Sequence, residues 1–164
     1  KLIVKSSYKK ASKYGPVMIE QFITGDEYTV GVLNDKSLPS IHIVAEDNFY
    51  DYNAKYKSDT TQYICPSSLD PKQEAYVQQI SLEAFNAVGA KDWGRVDLIR
   101  DLNGDFWILE VNTIPGLTSR SLVPKAATVV GIDFDKLVLD VLAKTISKSH
   151  ATENIKHQTK AKDG

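Results

Sequence analysis

The stretch WGRVDLIRDLNGDFWILEVN, residues 93–112, decides the fold. Its first eight residues alternate in the manner of a β-strand, and the tetrapeptide Asp101-Leu102-Asn103-Gly104 has the composition of a tight turn. The pattern predicts a strand over residues 93–100, a turn, and an antiparallel partner strand over residues 105–111. Residues 93–112 are therefore predicted to form a β-hairpin.

Four polar side chains of this hairpin are predicted to meet on one face. Arg95 and Asp97 share a face because side chains alternate along a strand, and Glu110 and Asn112 share a face for the same reason. If the hairpin folds about Asn103-Gly104, the two pairs lie side by side. Two carboxylates and an amide oxygen suit Mg²⁺, and the arginine can stabilise developing negative charge. A solvated strand face with a cross-strand ion pair has the same spacing, so spacing alone leaves both interpretations open.

The rest of the chain predicts an α+β fold, in which helices accompany antiparallel hairpins. One helix begins with Asp70 as N-cap and Pro71 at its first position, and it ends near Gly89. Further helices are predicted over residues 2–13, 121–130 and 134–146. Strands are predicted over residues 17–23 and 27–33, joined as a hairpin, and over residues 38–45.

Two segments of the chain have no clean periodicity. Residues 46–63 are polar and rich in tyrosine, which is typical of a long functional loop. Residues 147–164 are polar and rich in lysine and have little to bury, so we expect a mobile tail.

Composition excludes several classes of function. The 20 lysines and arginines nearly balance the 21 aspartates and glutamates, so no basic excess points to a nucleic acid. No apolar run is long enough to span a membrane. The single cysteine, Cys65, cannot form an internal disulfide, which is compatible with the cytoplasm. His42, His150 and His157 lack metal-ligand spacing, and we expect no catalytic role for them.

Five motifs, in order along the chain, resemble the D-alanine–D-alanine ligases, a branch of the ATP-grasp superfamily. The motifs are Ile19-Glu20-Gln21-Phe22-Ile23 with Gly25-Asp26-Glu27-Tyr28-Thr29-Val30, Phe49-Tyr50-Asp51-Tyr52-Asn53-Ala54-Lys55-Tyr56, Trp93-Gly94-Arg95-Val96-Asp97, Leu109-Glu110-Val111-Asn112-Thr113, and Pro115-Gly116-Leu117-Thr118-Ser119 ending in Ser121-Leu122-Val123-Pro124. The resemblance implies an ATP-grasp C-terminal domain, a largely antiparallel sheet with flanking helices. It implies that residues 1–16 end a central-domain helix, that residues 17–146 form the C-terminal catalytic domain, and that residues 147–164 follow it as a tail.

The resemblance also implies roles for individual residues. Asp97, Glu110 and Asn112 match ligands of two Mg²⁺ ions, with Mn²⁺ as the alternative metal, and Glu110 matches the ligand that bridges both ions. Arg95 matches the arginine that stabilises the tetrahedral intermediate, and Tyr56 matches a tyrosine that closes a loop over the site. The residues that match ATP contacts are Glu20, Gln21 and Ile23 at the adenine, Glu27 at the ribose, Phe49 and Leu109 as apolar walls, and Lys55 at the phosphates. The residues that match the site of the second D-alanine are Gly116, Ser121 and Leu122.

The activity implied by the resemblance is the ATP-dependent joining of two D-alanines through an acyl phosphate, in cytoplasmic synthesis of a peptidoglycan precursor for the cell wall. Two alternatives stay open: an ATP-grasp ligase with another amino-acid or hydroxy-acid acceptor, and a non-catalytic nucleotide-binding module. The segments Pro115–Ser119 and Ser121–Pro124 argue against another amino-acid acceptor, and Ala54-Lys55-Tyr56 resembles the dipeptide ligases and not the ligases that use a hydroxy acid. The metal residues argue against a module without activity.

The chain contains no glycine-rich phosphate loop, although the family carries one in its central domain. We therefore expect this chain to work together with the family's N-terminal and central domains, which it does not contain. The isolated chain is expected to make little or no dipeptide, and the full-length enzyme is expected to be a homodimer that binds neither nucleic acid nor membrane.

Overall fold

The computed structural model describes residues 2–44, 61–144 and 146. Most of the loop predicted over residues 46–63 and the whole tail over residues 147–164 lie outside this description. The helices are α1 (Leu2–Ala11), α2 (Pro71–Ala87), α3 (Leu122–Val129) and α4 (residues 134–144). The strands are β1 (Gly25–Leu33), β2 (Lys36–Ser37), β3 (Ile41–Val44), β4 (Gln62–Ile64), β5 (Trp93–Asp101) and β6 (Phe106–Asn112).

The described strands form one antiparallel sheet in the order β4-β3-β1-β5-β6, with the short β2 paired to one end of β1. Strand β1 is hydrogen-bonded along both edges, to β3 on one side and to β5 on the other. Strand β6 is the last strand of the order, beside β5. The predicted α+β class and antiparallel sheet are confirmed.

Apolar side chains are buried on both faces of the sheet because successive residues of a strand point to opposite faces. On one face the strands pack against α2, through a cluster of Val30, Val32, Val77, Phe85, Val96 and Leu98. On the other face they pack against α3 and α4, through a cluster of Leu33, Leu38, Ile41, Ile43, Val123, Ala126, Ala127 and Leu137. The face that carries α3 and α4 also carries the polar residues of the predicted site.

Helix α2 begins and ends as its sequence predicts. The Asp70 side chain accepts hydrogen bonds from the backbone N–H groups of Lys72 and Gln73, and Pro71 follows at the first turn. After the helix, Gly89 has a φ of 73°, the left-handed conformation that terminates helices. No helix within the described ranges is long and apolar enough to cross a membrane.

The hairpin predicted between residues 17–23 and 27–33 is wrong. Residues 16–24 have no regular secondary structure, and Met18 and Phe22 are largely exposed. Residues 17–23 do not pair with β1, whose two edges are occupied by β3 and β5. The strand predicted over residues 38–45 begins only at Ile41, after a Pro39 that cannot donate to the sheet.

Candidate functional site

The four polar side chains of the 93–112 hairpin lie where the alternation predicts them. In the register of β5 and β6, Arg95 faces Asn112 and Asp97 faces Glu110. A β-bulge follows, because Leu98 pairs with Ile108 and leaves Leu109 without a partner. A bulge re-aims the side chains beside it, and here both Leu109 and Glu110 line the same cleft.

Arg95 and Asp97 form a bidentate ion pair on the floor of this cleft. Arg95 Nε donates to Asp97 Oδ1 at 2.8 Å, and Arg95 Nη2 donates to Oδ2 at 2.7 Å. Burial of Asp97 opposes its ionisation, but the hydrogen bonds and positive charge of Arg95 outweigh burial and lower the pKa of the carboxyl below its ordinary value. Beside this pair, Asn112 Nδ2 donates to Glu110 Oε1 at 3.0 Å.

A buried hydroxyl that the sequence interpretation missed supports Asp97 from the neighbouring strand. Thr29 lies opposite Asp97 in the register of β1 and β5, and its Oγ1 donates to Asp97 Oδ1 at 2.6 Å. Thr29 is 1% exposed. A threonine in a strand is ordinary, and only the pairing of β1 with β5 gives it this position.

The cleft has a volume of about 960 Å³ and gathers nearly all of the predicted site residues that the structure describes. Those that line it are Glu20, Gln21, Ile23, Glu27, Arg95, Asp97, Leu109, Glu110, Gly116, Ser121 and Leu122. Asn112 contacts the cleft through its hydrogen bond to Glu110. Phe49, Lys55 and Tyr56 lie outside the described residues.

Several residues of the cleft wall were not predicted as site residues. They are Tyr28, Ile43, Tyr63, Trp107, Ile108, Thr118 and Arg120. Most are apolar or aromatic, and such residues in strands are usually core, so the sequence carries little signal for them. Trp107 and Ile108 could have been suspected only from their place in the motif next to Leu109.

The loop between β6 and α3 is ordered by hydroxyl groups. Ser121 Oγ accepts a hydrogen bond from the Thr118 backbone N–H at 3.1 Å and lies 2.9 Å from Thr118 Oγ1. Ser121 is the N-cap residue of α3, yet its side chain makes no capping hydrogen bond to that helix. The Ser121 side chain therefore does not cap the first N–H groups of α3. This end of the helix lies at the cleft, which is lined here by Gly116, Ser121 and Leu122.

The oxygen donors fit a hard divalent cation bound together with a substrate. Asp97, Glu110 and Asn112 supply two carboxylates and one amide oxygen. In the described part of the chain, no group of three or more His, Cys, Asp or Glu side chains is arranged to hold a metal. Mg²⁺ is commonly held by one or two carboxylates plus substrate phosphates, so this donor set suits it.

The fold and the site together define a domain of the ATP-grasp class: an antiparallel sheet flanked by helices, with a cleft of carboxylates and arginine on one face. Within that class, the chain belongs to the family described as "D-ala D-ala ligase C-terminus", whose model matches residues 3–143. The recognition of the family from its motifs is confirmed.

Relatives and solved structures agree with this membership. The chain is 51% identical over 144 residues to a D-alanine–D-alanine ligase of Saccharophagus degradans, covering 87% of this chain and 46% of the relative. It is 54% identical over 138 residues to a ligase of the same name from Xanthomonas axonopodis pv. citri, covering 83% of this chain and 43% of the relative. A D-alanine–D-alanine ligase from Bacillus anthracis, solved in complex with ATP, superposes with a TM-score of 0.77 at 27% identity, covering 93% of this chain and 49% of that one. The chain therefore spans about half the length of the proteins it matches.

Proposed function

We propose that the protein which carries this chain, called the parent protein below, joins two D-alanine molecules at the expense of ATP and so supplies a peptidoglycan precursor. The observation that carries the proposal is the register of β5 and β6, which sets Arg95, Asp97 and Glu110 side by side in the lining of a cleft, with Asn112 hydrogen-bonded to Glu110. The names of the relatives support the same activity.

The proposed metal ligands are Asp97, Glu110 and Asn112, with Glu110 shared between two Mg²⁺ ions. When bound, the ions neutralise negative charge on the phosphate oxygens of ATP. The side chains of Asp97 and Arg95 are only 13% and 17% exposed, so charges at this position are screened less by water than charges on an open surface.

The proposed reaction has two steps. A carboxylate oxygen of the first D-alanine attacks the γ-phosphorus of ATP, which releases ADP and leaves a D-alanyl phosphate. The amine of the second D-alanine then attacks the acyl carbon, inorganic phosphate leaves, and the amine loses a proton. Arg95 and Arg120 both line the cleft, and we assign Arg95, which is paired with the proposed metal ligand Asp97, to the negative charge that develops on the acyl oxygen in the second step.

Two groups of residues that line the cleft suit the two kinds of substrate. Glu20, Gln21, Ile23 and Leu109 line the part that we assign to adenine, and the Glu27 carboxylate can accept hydrogen bonds from ribose hydroxyls. Gly116, Ser121 and Leu122 line the part that we assign to the second D-alanine. The carboxylate of the second D-alanine can bind at the beginning of α3. There the Ser121 side chain makes no capping hydrogen bond to the helix, and the helix dipole favours a negative charge.

The remaining parts of the proposal rest on family membership. Phe49, Lys55 and Tyr56 are proposed to contact ATP and to close the site. The N-terminal and central domains are proposed to supply the phosphate loop and the site of the first D-alanine, in a cytoplasmic homodimer.

Substitution of the proposed metal ligands in the parent protein tests the proposal. Glu110→Gln is expected to nearly abolish phosphate release with ATP, Mg²⁺ and D-alanine, because a neutral amide cannot serve as the shared ligand of two cations. Asn112→Ala is expected to reduce kcat less, because Asn112 would contact one ion. Glu83→Gln is the matched control, since Glu83 is exposed on α2, where its carboxylate accepts a hydrogen bond from Gln79 Nε2 at 2.8 Å. Near-normal kcat in Glu110→Gln would refute the metal assignment.

A further inference from the structure

Trp107 is a large aromatic residue in the wall of the cleft that the roles assigned above do not use. It pairs with Ile99 of β5, and Ile99 pairs with Glu27 of β1, so the three residues form one row across the sheet. Residues in such a row point to the same face, and two strand spacings separate Glu27 from Trp107 by roughly 10 Å. Trp107 therefore shares the cleft face with the carboxylate assigned to the ribose.

The indole of Trp107 is held in a fixed orientation by Asp101. Trp107 Nε1 donates to Asp101 Oδ2 at 3.0 Å. The other oxygen of Asp101 accepts from the backbone N–H groups of Asn103 and Asp105, at 2.9 and 3.0 Å, which ties the carboxylate to the hairpin turn. The hydrogen bond from Trp107 is the largest contribution that lowers the pKa of Asp101, so the carboxylate stays ionised and remains an acceptor at neutral pH.

Trp107 is 43% exposed, although a tryptophan side chain has a large apolar surface whose burial is favourable. The following residues, Ile108 and Leu109, are exposed to a similar degree. Trp107 and Leu109 both line the cleft, Trp107 from its place opposite Ile99 and Leu109 from the bulge that leaves it without a partner on β5. An anchored indole next to an apolar side chain is the kind of surface on which a planar base stacks.

We propose that Trp107 binds the nucleoside end of ATP, with its indole against the purine, and that Asp101 is the positioning residue that orients the indole. This inference rests on the proposed function, because it assumes that ATP occupies the cleft. It assigns to β6 a second residue for the base besides Leu109.

The first test compares nucleotide affinity and fluorescence in the parent protein. Equilibrium dialysis with ATP and Mg²⁺ gives Kd without relying on fluorescence. Trp107→Ala is expected to raise Kd roughly 5- to 100-fold, as the loss of a base–aromatic stack does, and Trp107→Phe is expected to raise it less. ATP is also expected to change the tryptophan emission of the unaltered protein, and the part of that change due to Trp107 is expected to be missing in Trp107→Phe.

Asp101→Asn tests the positioning role. The asparagine keeps one oxygen for the turn but presents an amide N–H to the indole N–H, so the hydrogen bond to Trp107 is lost. We expect a raised KM for ATP with nearly unchanged kcat, together with altered Trp107 emission in the absence of nucleotide. A residue that only stabilised the turn would lower the melting temperature and leave the KM for ATP and the emission response unchanged.

The outcomes separate this inference from the proposed function. The inference is overturned, and the proposed function stands, if the unaltered protein binds ATP without a change in Trp107 emission and Trp107→Phe binds ATP with the same Kd as the unaltered protein. If the unaltered protein binds no ATP, both are overturned. If Trp107→Ala does not fold, the emission difference and the Kd of Trp107→Phe still decide the matter.

Discussion

The hydroxyl of Thr29 donates a hydrogen bond to Asp97 Oδ1 at 2.6 Å, across two neighbouring strands and 68 positions of sequence. The same hydroxyl lies 3.2 Å from the Val96 carbonyl oxygen, but a hydroxyl has a single proton and the shorter contact is to the charged acceptor. Asp97 Oδ1 thus accepts two hydrogen bonds, one from Arg95 Nε and one from Thr29 Oγ1. Thr29 fixes the plane of a carboxylate that we propose as a metal ligand.

Removing this hydroxyl is expected to weaken metal binding more than it weakens folding. In the parent protein, Thr29→Val should raise the Mg²⁺ concentration needed for half-maximal ATP binding by roughly tenfold, because the Asp97 carboxylate loses the hydroxyl that fixes its plane. The Arg95–Asp97 pair and the β1–β5 hydrogen bonds remain, so stability should fall by only about 1 kcal/mol. Mg²⁺ titration of ATP binding and thermal unfolding measure the two effects.

Thr29→Ser is the control for this prediction, since serine restores the hydroxyl while removing a methyl group. Its Mg²⁺ dependence should return close to that of the unaltered protein. A Thr29→Val protein with lower stability but an unchanged Mg²⁺ requirement would show that Thr29 only packs the strand pair.

The part of the site that strand alternation predicts, without the help of the family motifs, is the part that is local in the chain. Arg95, Asp97, Glu110 and Asn112 lie on two strands joined by a short turn, so alternation and turn composition suffice to bring them together. Thr29 depends instead on which strands are neighbours in the sheet, and a single sequence does not give that order.

The erroneous strand over residues 17–23 has the same physical origin. Local composition reports the propensity of a segment for extended structure, but a strand forms only where another strand offers unpaired hydrogen-bonding groups. Both edges of β1 are occupied, and this follows from the whole sheet and not from the segment. The exposed apolar residues of the segment, such as Met18 and Phe22, consequently contribute nothing to the described core.

Glu74 is predicted to be the most sensitive polar residue outside the cleft. Its carboxylate accepts from the Ser40 backbone N–H at 2.9 Å, from the Ser40 and Ser67 hydroxyls, and from Gln78 Nε2 at 2.6 Å. Ser40 is fully buried, so Glu74→Ala would leave its backbone N–H without the Glu74 carboxylate, while its hydroxyl keeps the contact with Ser67 Oγ at 2.6 Å. We expect a loss of about 3 kcal/mol, seen as a decrease in melting temperature of roughly 6–12 °C.

Glu83→Ala provides the comparison for Glu74, because Glu83 lies on the same helix and is exposed. It should change stability by no more than about 0.5 kcal/mol. Equal effects of the two substitutions would mean that the Glu74 hydrogen bonds do not hold residues 38–40 and 65–67 to α2.

Cys65 is predicted to be a slow nucleophile. Burial is the main cause that raises the pKa of its thiol, the negative charge of Glu74 adds to it, and Lys125 opposes it. Because the folded pKa is above the unfolded one, the stability associated with the protonated thiol is present below the unfolded pKa and is lost as pH rises through the folded pKa. Alkylation by iodoacetamide at pH 8 should be slower in the native protein than in urea, and its rate should still rise above pH 9. Equal rates in both states would contradict the burial argument.

Gly94 is predicted to be the glycine on which the geometry of the metal site depends most. A Cβ at this position would lie 2.5 Å from Phe85 Cε2 and 2.7 Å from the Asn112 carbonyl oxygen. Phe85 is a fully buried residue of α2 and has no free space to move into, and the Asn112 backbone can retreat only by opening the β5–β6 pair. Gly94→Ala should therefore cost about 1–3 kcal/mol and also raise the Mg²⁺ requirement for ATP binding, since Asn112 would shift relative to Glu110.

Gly31→Ala separates this local effect from a general cost of adding a methyl group to the sheet. Gly31 lies in β1 opposite Arg95, and its Cβ would meet Leu38 Cδ1 at 3.1 Å and the Val123 methyl groups at 3.5 and 3.6 Å. These are side-chain ends that can adjust by a few tenths of an ångström, so we expect a smaller change in stability and an unchanged Mg²⁺ requirement. Thermal unfolding and Mg²⁺ titration of the two variants side by side make the comparison. If Gly94→Ala were as stable as Gly31→Ala and kept its Mg²⁺ requirement, the close approach of β5, β6 and α2 at Gly94 would not control the site.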